Sequence, residues 1–343
     1  MPLDVAPGTC AASSLDPLLV DVRHLDVEFV SRESVNHAVN DVSFSLRTGE
    51  VLCILGESGS GKSVTMRSLL KLHPPKRTRI SGEILVDGDD VSAMGEREMQ
   101  SLRGSKISMI FQDPMTALDP VYTIGQQIEE TVMRHRGASR KQANARALEL
   151  LELVRIPSPE RRLKAYPHEL SGGLRQRAMI AVALSCSPKL LLADEPTTAL
   201  DATVQIQVLV LLRKLQQELG MGIIFVTHDL GVAAQIADRV AVMYAGRIVE
   251  HGTVEQLLRD PQHPYTRGLL ASTVHGHMRG KRIDAIPGAP PDLRRRITGC
   301  AFAPRCAQAL SACRSAPPPV TTQANGRTVA CVRADPAFTA AAE

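Results

Sequence analysis

The sequence predicts an α/β protein built on an open sheet whose central strands run parallel. Short, wholly apolar runs at 51–55, 190–193 and 223–226 predict the buried central strands. Stretches with apolar residues at helical spacing separate these runs, and such alternation of strands and helices is typical of parallel sheets covered by helices. Apolar residues make up 44% of the 343 residues, which is enough to fill the core of such a fold.

A different kind of sheet is predicted for the residues that precede the first buried run. Leu25, Val27 and Phe29 alternate with polar residues, and the alternation returns at 42–46. Because neighbouring side chains of a strand point to opposite faces, this pattern predicts antiparallel strands with one buried face. The small and polar residues 1–17 are predicted to form a flexible N-terminal arm.

Two helices are predicted from their boundaries. Ser139 is a suitable N-cap for a helix whose apolar residues, up to Val154, recur at helical spacing. A second helix is predicted over 204–219, where Gly220 ends it. Prolines become frequent after about residue 264, so the folded region is expected to divide into a main domain, 18–265, and a small loop-rich appendage, 266–343.

The composition argues against some classes of function. The 40 Lys and Arg residues against 36 Asp and Glu residues give a net charge of only +4, and aromatic residues make up 3% without any tryptophan. A weak basic excess and few aromatic rings are not typical of nucleic-acid-binding proteins, so no nucleic acid partner is expected. No run of about 18 apolar residues is present, so no membrane-spanning helix is expected.

A glycine-rich segment after the first buried run carries a specific chemical signal. Residues 56–63, here called the P-loop, match the pattern G-x-x-x-x-G-K-[ST] between a predicted strand and a predicted helix. Glycines let backbone N–H groups converge on phosphate oxygens, while Lys62 is expected to reach the β- and γ-phosphates and Ser63 to coordinate Mg²⁺. The expected nucleotide-binding residues of this loop are Gly56, Ser58, Gly59, Gly61, Lys62 and Ser63.

Polar side chains also follow three of the other apolar runs. Asp194 is expected to hold Mg²⁺, and Glu195 to orient and deprotonate the attacking water, although a merely solvated acidic pair is the alternative. His228 and Gln112 end further runs, which places them at the same edge of the sheet. His228 is expected to hydrogen-bond the γ-phosphate, and Gln112 to contact Mg²⁺ or the attacking water.

The segment Leu-Ser-Gly-Gly-Leu-Arg-Gln-Arg at 170–177 resembles the LSGGQ signature of the ABC ATPases. Further motifs follow in the order of that family: the P-loop, Gln112, the 194–195 pair, the 199–201 segment and His228. The resemblance covers roughly residues 16–260, and Leu174 stands where many members have Gln. It implies a P-loop NTPase fold of the ABC type, with a mixed parallel core sheet, an antiparallel β subdomain and a helical subdomain.

The resemblance also implies how ATP is bound. In this family two ATPase domains face each other head to tail, and each ATP lies between the P-loop of one domain and the signature of the other. Ser171, Gly172 and Gly173 are therefore expected to bind the ATP of a second ATPase subunit, and Asp201 to lie at that interface and couple the sites. Members usually stack adenine on an aromatic residue ahead of the P-loop, and Phe29 is the nearest candidate, with core packing as the alternative.

Three further segments, 111–120, 243–246 and 263–266, resemble the D-type ATP-binding subunits of dipeptide and oligopeptide importers. This resemblance implies an ATPase that powers peptide import at the cytoplasmic face of a bacterial inner membrane. The partners that it implies are two permease subunits, a second, similar ATPase and an extracytoplasmic peptide-binding protein. Another cargo, such as nickel, glutathione or an opine, stays open, and so does a soluble ABC ATPase of DNA repair or translation.

Four of the 7 cysteines lie close together near the C-terminal end: Cys300, Cys306, Cys313 and Cys331. Four thiolates can hold Zn²⁺ or an iron–sulfur cluster. Structural zinc sites favour closer cysteine pairs, and the wider spacing here, like the resemblance to relatives with this tail, favours a [4Fe–4S] cluster. Zinc and free thiols stay open as alternatives. Neighbouring arginines (Arg294, Arg295, Arg296, Arg305 and Arg314) are expected to lower the pKa of these thiols.

Overall fold

The computed structural model describes residues 18–198, 200–272 and 286–335, so the arm predicted for 1–17 lies outside the described residues. The strands are β1 (Leu18–Val30), β2 (Val35–Arg47), β3 (Val51–Leu55), β4 (Thr78–Val86), β5 (Asp89–Asp90), β6 (Ile107–Ile110), β7 (Leu190–Asp194), β8 (Gly222–Thr227), β9 (Arg239–Tyr244), β10 (Arg247–Thr253), β11 (Val320–Thr322) and β12 (Thr328–Ala330). The helices are α1 (Lys62–Ser68), α2 (Glu96–Leu102), α3 (Pro114–Ala117), α4 (Ile124–Arg136), α5 (Arg140–Leu153), α6 (Pro159–Arg162), α7 (Gly172–Ala183), α8 (Ala202–Leu219), α9 (Leu230–Ile236), α10 (Val254–Arg259), α11 (Pro264–Ala271) and α12 (Ala312–Ser315). Within these described ranges, no helix combines the length and the apolar character that crossing a membrane requires.

The larger sheet contains the three predicted central strands and has the order β11-β12-β10-β9-β3-β8-β7-β6. Its strands from β9 to β6 are parallel, whereas β10, β12 and β11 continue it in antiparallel pairs. The prediction of a mixed, mainly parallel core sheet is confirmed. Because the carboxyl ends of parallel strands meet at one edge, the loops after β3, β6, β7 and β8 come together there.

The smaller sheet is antiparallel and has the order β2-β1-β4-β5. The central strand β3 shows how the two sheets share a core. Leu52 and Ile54 pack with the apolar face of the smaller sheet, whereas Val51, Cys53 and Leu55 pack with the helices on the other side. A strand that is buried on both faces is apolar at every position, which explains why this run shows no alternation.

Most of the helical part of the molecule is formed by the chain segment that connects β6 to β7. Its helices α4, α5 and α7 pack against one another. The Ser139 hydroxyl caps α5 by accepting the N–H of Gln142, and a cap of this kind contributes about 1 kcal/mol. Helix α8 begins at Ala202, ahead of the predicted start, and ends at Gly220, whose φ of 63° lies in the left-handed region. Both predicted helices are confirmed.

The described part of the C-terminal segment, 286–335, is joined to the core sheet. Strand β12 pairs with β10, and β11 pairs with β12, so the segment extends the sheet at one edge. The buried guanidinium of Arg327 donates to the buried carboxylate of Glu250. That carboxylate also accepts the backbone N–H groups of Gln262 and His263 at 2.9 and 3.0 Å. The position of the segment on the sheet is therefore defined by both backbone pairing and a satisfied buried charge.

Candidate active site

The P-loop runs from the end of β3 to the start of α1, and its geometry requires glycine at two positions. A Cβ atom on Gly56 would lie 2.2 Å from the carbonyl oxygen of Met243. A Cβ atom on Gly61 would lie 2.6 Å from the carbonyl oxygen of Ala38, and the φ of Gly61 is 104°, which other residues rarely adopt. The backbone of the loop is therefore free to turn its N–H groups toward a phosphate group.

Lys62 and Ser63, at the end of the loop, make three hydrogen bonds. The Lys62 ammonium donates to the carbonyl oxygens of Gly56 and Glu57 at 2.8 and 2.9 Å, and burial lowers the pKa of Lys62. The Ser63 hydroxyl donates to Oδ1 of Asp194 at 2.7 Å, and Asp194, at the end of β7, is buried. A hydroxyl oxygen and carboxylate oxygens are ligands that Mg²⁺ prefers, so this pair suits a magnesium ion.

Of the three predicted catalytic residues, Gln112 and His228 both contact the third, Glu195. Its Oε2 atom lies 3.2 Å from Nδ1 of His228 and accepts a hydrogen bond from Nε2 of Gln112 at 3.5 Å. The Thr198 hydroxyl donates to the same oxygen at 3.0 Å, a contact that no pattern in the sequence indicated. Glu195 has a φ of 44°, which is unusual for a residue other than glycine. The Glu195 carboxylate is therefore held by three neighbours at the edge of the sheet where the P-loop lies.

A cavity of about 850 Å³ joins the P-loop to these side chains, and this volume is in the range of small-molecule sites. The predicted site residues that line it are Ser58, Gly59, Gly61, Lys62, Ser63, Gln112, Glu195 and His228. Phe29 lines it too, with its ring in edge-on contact with His73 at 5.4 Å. Ile286 and Leu293 of the C-terminal segment complete the wall, and sequence reasoning missed both because they belong to no motif.

The signature residues lie on another part of the surface. Ser171 is the N-cap of α7, and Gly172 and Gly173 are its first residues. Ser171 and Gly172 are exposed, and the Ser171 side chain makes no capping hydrogen bond. Of the described residues that line the P-loop cavity, none comes from this group. The start of α7 is therefore accessible to another molecule.

Asp201 lies beside this helix start. Its Oδ1 atom accepts the N–H groups of Thr203 and Val204 at 3.1 and 3.0 Å, which makes Asp201 the cap of α8. A Cβ atom on Gly173 would lie 2.8 Å from Cγ1 of Val204, so the first turns of α7 and α8 are in close contact. The signature and Asp201 thus share one surface.

The four C-terminal cysteines line one small cavity, together with His263 and Phe302. Across 18–198, 200–272 and 286–335, however, no three His, Cys, Asp or Glu side chains are grouped closely enough to hold a metal ion. The expected lowering of the thiol pKa by arginines is wrong for Cys300 and Cys331, because burial raises the pKa of both. Arg305 in particular extends its guanidinium to Glu57 of the P-loop.

Comparisons with known proteins agree with this geometry. The family model for "ABC transporter" matches residues 39–198, and that for "Oligopeptide/dipeptide transporter, C-terminal region" matches residues 249–313. The probable peptide ABC transporter ATP-binding protein y4tR of Sinorhizobium fredii is 51% identical over 321 residues, which are 93% of this chain and 96% of that protein. The dipeptide transport ATP-binding protein DppD of Bacillus subtilis is 47% identical over 314 residues, which are 91% and 94% of the two chains.

Solved structures show the same fold. The ATP-binding cassette MJ0796, a dimer in a post-hydrolysis state bound to ADP and Pi, has a TM-score of 0.62 at 31% identity, covering 68% of this chain and 98% of that one. The protein cbiO1 from Clostridium perfringens, part of the ABC transporter complex cbiONQ, has a TM-score of 0.62 at 28% identity, covering 71% and 92%. The predicted fold class is confirmed.

Proposed function

Because the chain belongs to the ATP-binding proteins of ABC transporters, in the group named for peptide import, we propose that it hydrolyses ATP to power the uptake of dipeptides and oligopeptides. This proposal depends on one observation: the chemical groups that ATP hydrolysis needs lie around the same cavity. The P-loop, the Ser63 hydroxyl that contacts Asp194, and the Glu195 carboxylate all lie around it. The same cavity therefore offers a phosphate cradle, oxygen ligands for a metal ion and a base.

Binding of the nucleotide is assigned to the P-loop. Backbone N–H groups of the loop, including those of the glycines at 56, 59 and 61 and of Ser58, hold the phosphates together with Lys62. The Ser63 hydroxyl, the Asp194 carboxylate and the Gln112 amide supply oxygen ligands for Mg²⁺, which neutralises phosphate charge when bound. The contact of 2.7 Å between Ser63 and Asp194 supports this ligand set, because it brings two of these groups to one point.

Hydrolysis is assigned to Glu195 as the general base for the attacking water. Gln112, Thr198 and His228 all contact its Oε2 atom, which limits the rotation of the carboxylate and fixes the direction in which it accepts a proton. His228 is half-exposed at the cavity wall and is also assigned a hydrogen bond to the γ-phosphate. The support for these roles is their common position beside the P-loop.

A complete site needs a second ATPase subunit. Ser171, Gly172 and Gly173 are assigned to the nucleotide of that subunit, because they do not line the described cavity of their own chain and start an accessible helix. Asp201 lies on the same surface and is assigned to coupling the two sites. ATP then joins the two subunits, and its hydrolysis loosens them.

The segment after Gln112 is assigned to a membrane-embedded permease. Met115, Val121 and Tyr122 in this segment, and Phe111 just before it, are large apolar side chains that are each at least 40% exposed, and exposed apolar surface is typical of protein interfaces. Two permease subunits, a second and similar ATPase and an extracytoplasmic peptide-binding protein complete the proposed importer. The chain then works at the cytoplasmic face of a bacterial inner membrane.

The four cysteines are assigned to a [4Fe–4S] cluster, with zinc as the alternative, although in the described residues these thiols are not grouped closely enough to hold a metal ion, so binding requires them to move together. Their thiols line one cavity, and a cubane cluster takes thiolates that are further apart than those around a single tetrahedral zinc ion. Protein purified without oxygen is expected to be brown and to contain about four iron atoms per chain, and Cys306→Ser is expected to lose them. Colourless protein with about one zinc per chain would support the alternative instead.

Lys62→Ala tests the proposed function. Because it removes the ammonium group from the P-loop, we expect ATP affinity to fall at least about tenfold and ATP-driven peptide uptake by the reconstituted importer to stop. Lys214→Ala is the matched control, since Lys214 is half-exposed on α8 and its ion pair among the described residues is with Glu218, one turn away. Unchanged ATP affinity in Lys62→Ala would refute the site, and ATP hydrolysis without peptide uptake by the wild-type importer would refute the cargo.

A further inference from the structure

An ion pair joins the C-terminal segment directly to the P-loop. Arg305, in the turn Ala303–Arg305, donates from Nη1 to Oε2 of Glu57 at 2.7 Å and from Nη2 to Oε1 at 3.2 Å. Glu57 follows the first glycine of the P-loop. Two parallel hydrogen bonds between a guanidinium and a carboxylate fix both direction and distance, which a single charge contact does not.

The guanidinium of Arg305 is itself held from several directions. Its Nε atom donates to the carbonyl oxygen of Pro287 at 2.9 Å, and Nη2 donates to that of Ile286 at 3.2 Å. Nη1 donates to the Tyr244 hydroxyl at 3.3 Å, and the guanidinium carbon lies 5.9 Å from the centre of the Phe302 ring. The Arg305 side chain is only 5% exposed. It therefore acts as a rigid support rather than as a flexible surface charge.

Glu57 is bound at its backbone as well as at its side chain. Its N–H donates to the Tyr265 hydroxyl at 2.9 Å, and its carbonyl oxygen accepts from the Lys62 ammonium at 2.9 Å. The rings of Tyr244 and Tyr265 are in contact, with centres 4.6 Å apart. A movement of Glu57 would consequently move the atom that orients Lys62, the only lysine of the P-loop.

We propose that Arg305 is a positioning residue for ATP binding: by holding Glu57, it sets the shape of the P-loop and the direction of the Lys62 ammonium. Arg305 also neutralises a carboxylate that lines the cavity assigned to a triphosphate, where an unpaired negative charge would repel the nucleotide. The C-terminal segment thereby controls ATP affinity. This inference rests on the proposed function, since it assigns the P-loop cavity to ATP.

The first test is the ATP affinity of Arg305→Gln, measured by equilibrium binding to the full chain with Mg²⁺ in a Glu195→Gln background that prevents turnover. We expect binding to weaken about tenfold, which corresponds to about 1.4 kcal/mol. Arg305→Lys keeps the charge but loses the two-bond geometry, so its affinity is expected to be intermediate. Arg294→Gln is the matched control, because Arg294 pairs with Asp292 at the surface of the same segment, and its affinity is expected to equal that of the parent.

A double-mutant cycle separates positioning from a general loss of structure. In a Glu57→Gln background there is no carboxylate to hold or to neutralise, so Arg305→Gln is expected to weaken binding only about twofold. In steady-state hydrolysis without the Glu195 substitution, Arg305→Gln is expected to raise KM for ATP and to leave kcat nearly unchanged. If Arg305 acted in folding alone, Arg305→Gln would lower the midpoint of unfolding equally with and without Glu57→Gln. The KM for ATP would then not change.

Two results would overturn the inference while leaving the proposed function intact. One is parental ATP affinity in folded Arg305→Gln, and the other is an equal loss of affinity in the presence and absence of Glu57. Should Arg305→Gln fold poorly, Arg305→Lys measured with and without Glu57→Gln decides by the same criteria. Failure of the wild-type chain to bind ATP, or normal binding by Lys62→Ala, would instead contradict the proposed function.

Discussion

Replacing Glu195 by Gln tests the proposed chemistry with a small change of shape. The Glu195 side chain is 15% exposed, and its Oε2 atom contacts His228, Gln112 and Thr198. The amide of glutamine nearly matches the carboxylate in size, and its carbonyl oxygen still accepts the hydrogen bond from Thr198. The change therefore removes the capacity to take a proton while keeping most of the local packing.

The expected fall in kcat follows from the loss of general-base catalysis. General-base catalysis contributes about 100- to 10,000-fold, so kcat is expected to fall by that factor, which raises the barrier by about 2.7 to 5.4 kcal/mol. The contacts of Lys62 with Gly56 and Glu57, and of Ser63 with Asp194, do not involve the Glu195 side chain. ATP affinity is therefore expected to stay within about twofold of the wild-type value.

The assay pairs phosphate release with equilibrium ATP binding on the same preparation. Thr198→Val is the matched control, because it removes one hydrogen bond to Oε2 and leaves the base in place. We expect it to lower kcat by about tenfold or less. Turnover by Glu195→Gln within about threefold of wild type would refute Glu195 as the base, and loss of ATP binding by this variant would show that its role is structural.

Two further predictions concern stability. Arg327→Met leaves the Glu250 carboxylate charged and buried, so the free energy of unfolding in urea is expected to fall by about 3–5 kcal/mol, whereas Arg259→Gln, which breaks an exposed pair, should change it by less than about 1 kcal/mol. An equal change in the free energy of unfolding of both variants would contradict a stabilising role of the buried pair. Burial lowers the pKa of His263 to about 4, below its usual value near 6.5. The imidazole therefore contributes stability above pH 6.5 that is lost as the pH falls toward 4, and the pH dependence is expected to be flatter in His263→Gln. Parallel curves for the two proteins would contradict a buried neutral His263.

The strands and the P-loop were predictable because their causes are local. The apolar run at 51–55 and the glycines that follow depend on burial of neighbouring residues and on backbone freedom, which sequence patterns report directly. Parallel strand order then brings Gln112, Glu195 and His228 together at one edge, as their positions after apolar runs predicted.

Side-chain contacts and burial were not predictable in this way. The hydrogen bond from Thr198 to Glu195 spans only three residues, but no motif indicates it, and none indicates the positive φ of Glu195. The pKa of Cys300 was predicted in the wrong direction, because nearby arginines in the sequence suggested charge stabilisation whereas the fold buries the thiol. Burial is a property of packing and is set by residues throughout the chain.

The sequence by itself determined the family, the fold class and the residues proposed to bind phosphate, since each depends on short segments whose chemistry requires particular side chains. Only the tertiary structure decided that the C-terminal segment extends the core sheet through β12 and places Arg305 against Glu57. Those two residues are 248 positions apart, and nothing local to either one indicates the other. Their pairing arises because the segment packs beside the P-loop, where burial favours a guanidinium and a carboxylate that satisfy each other.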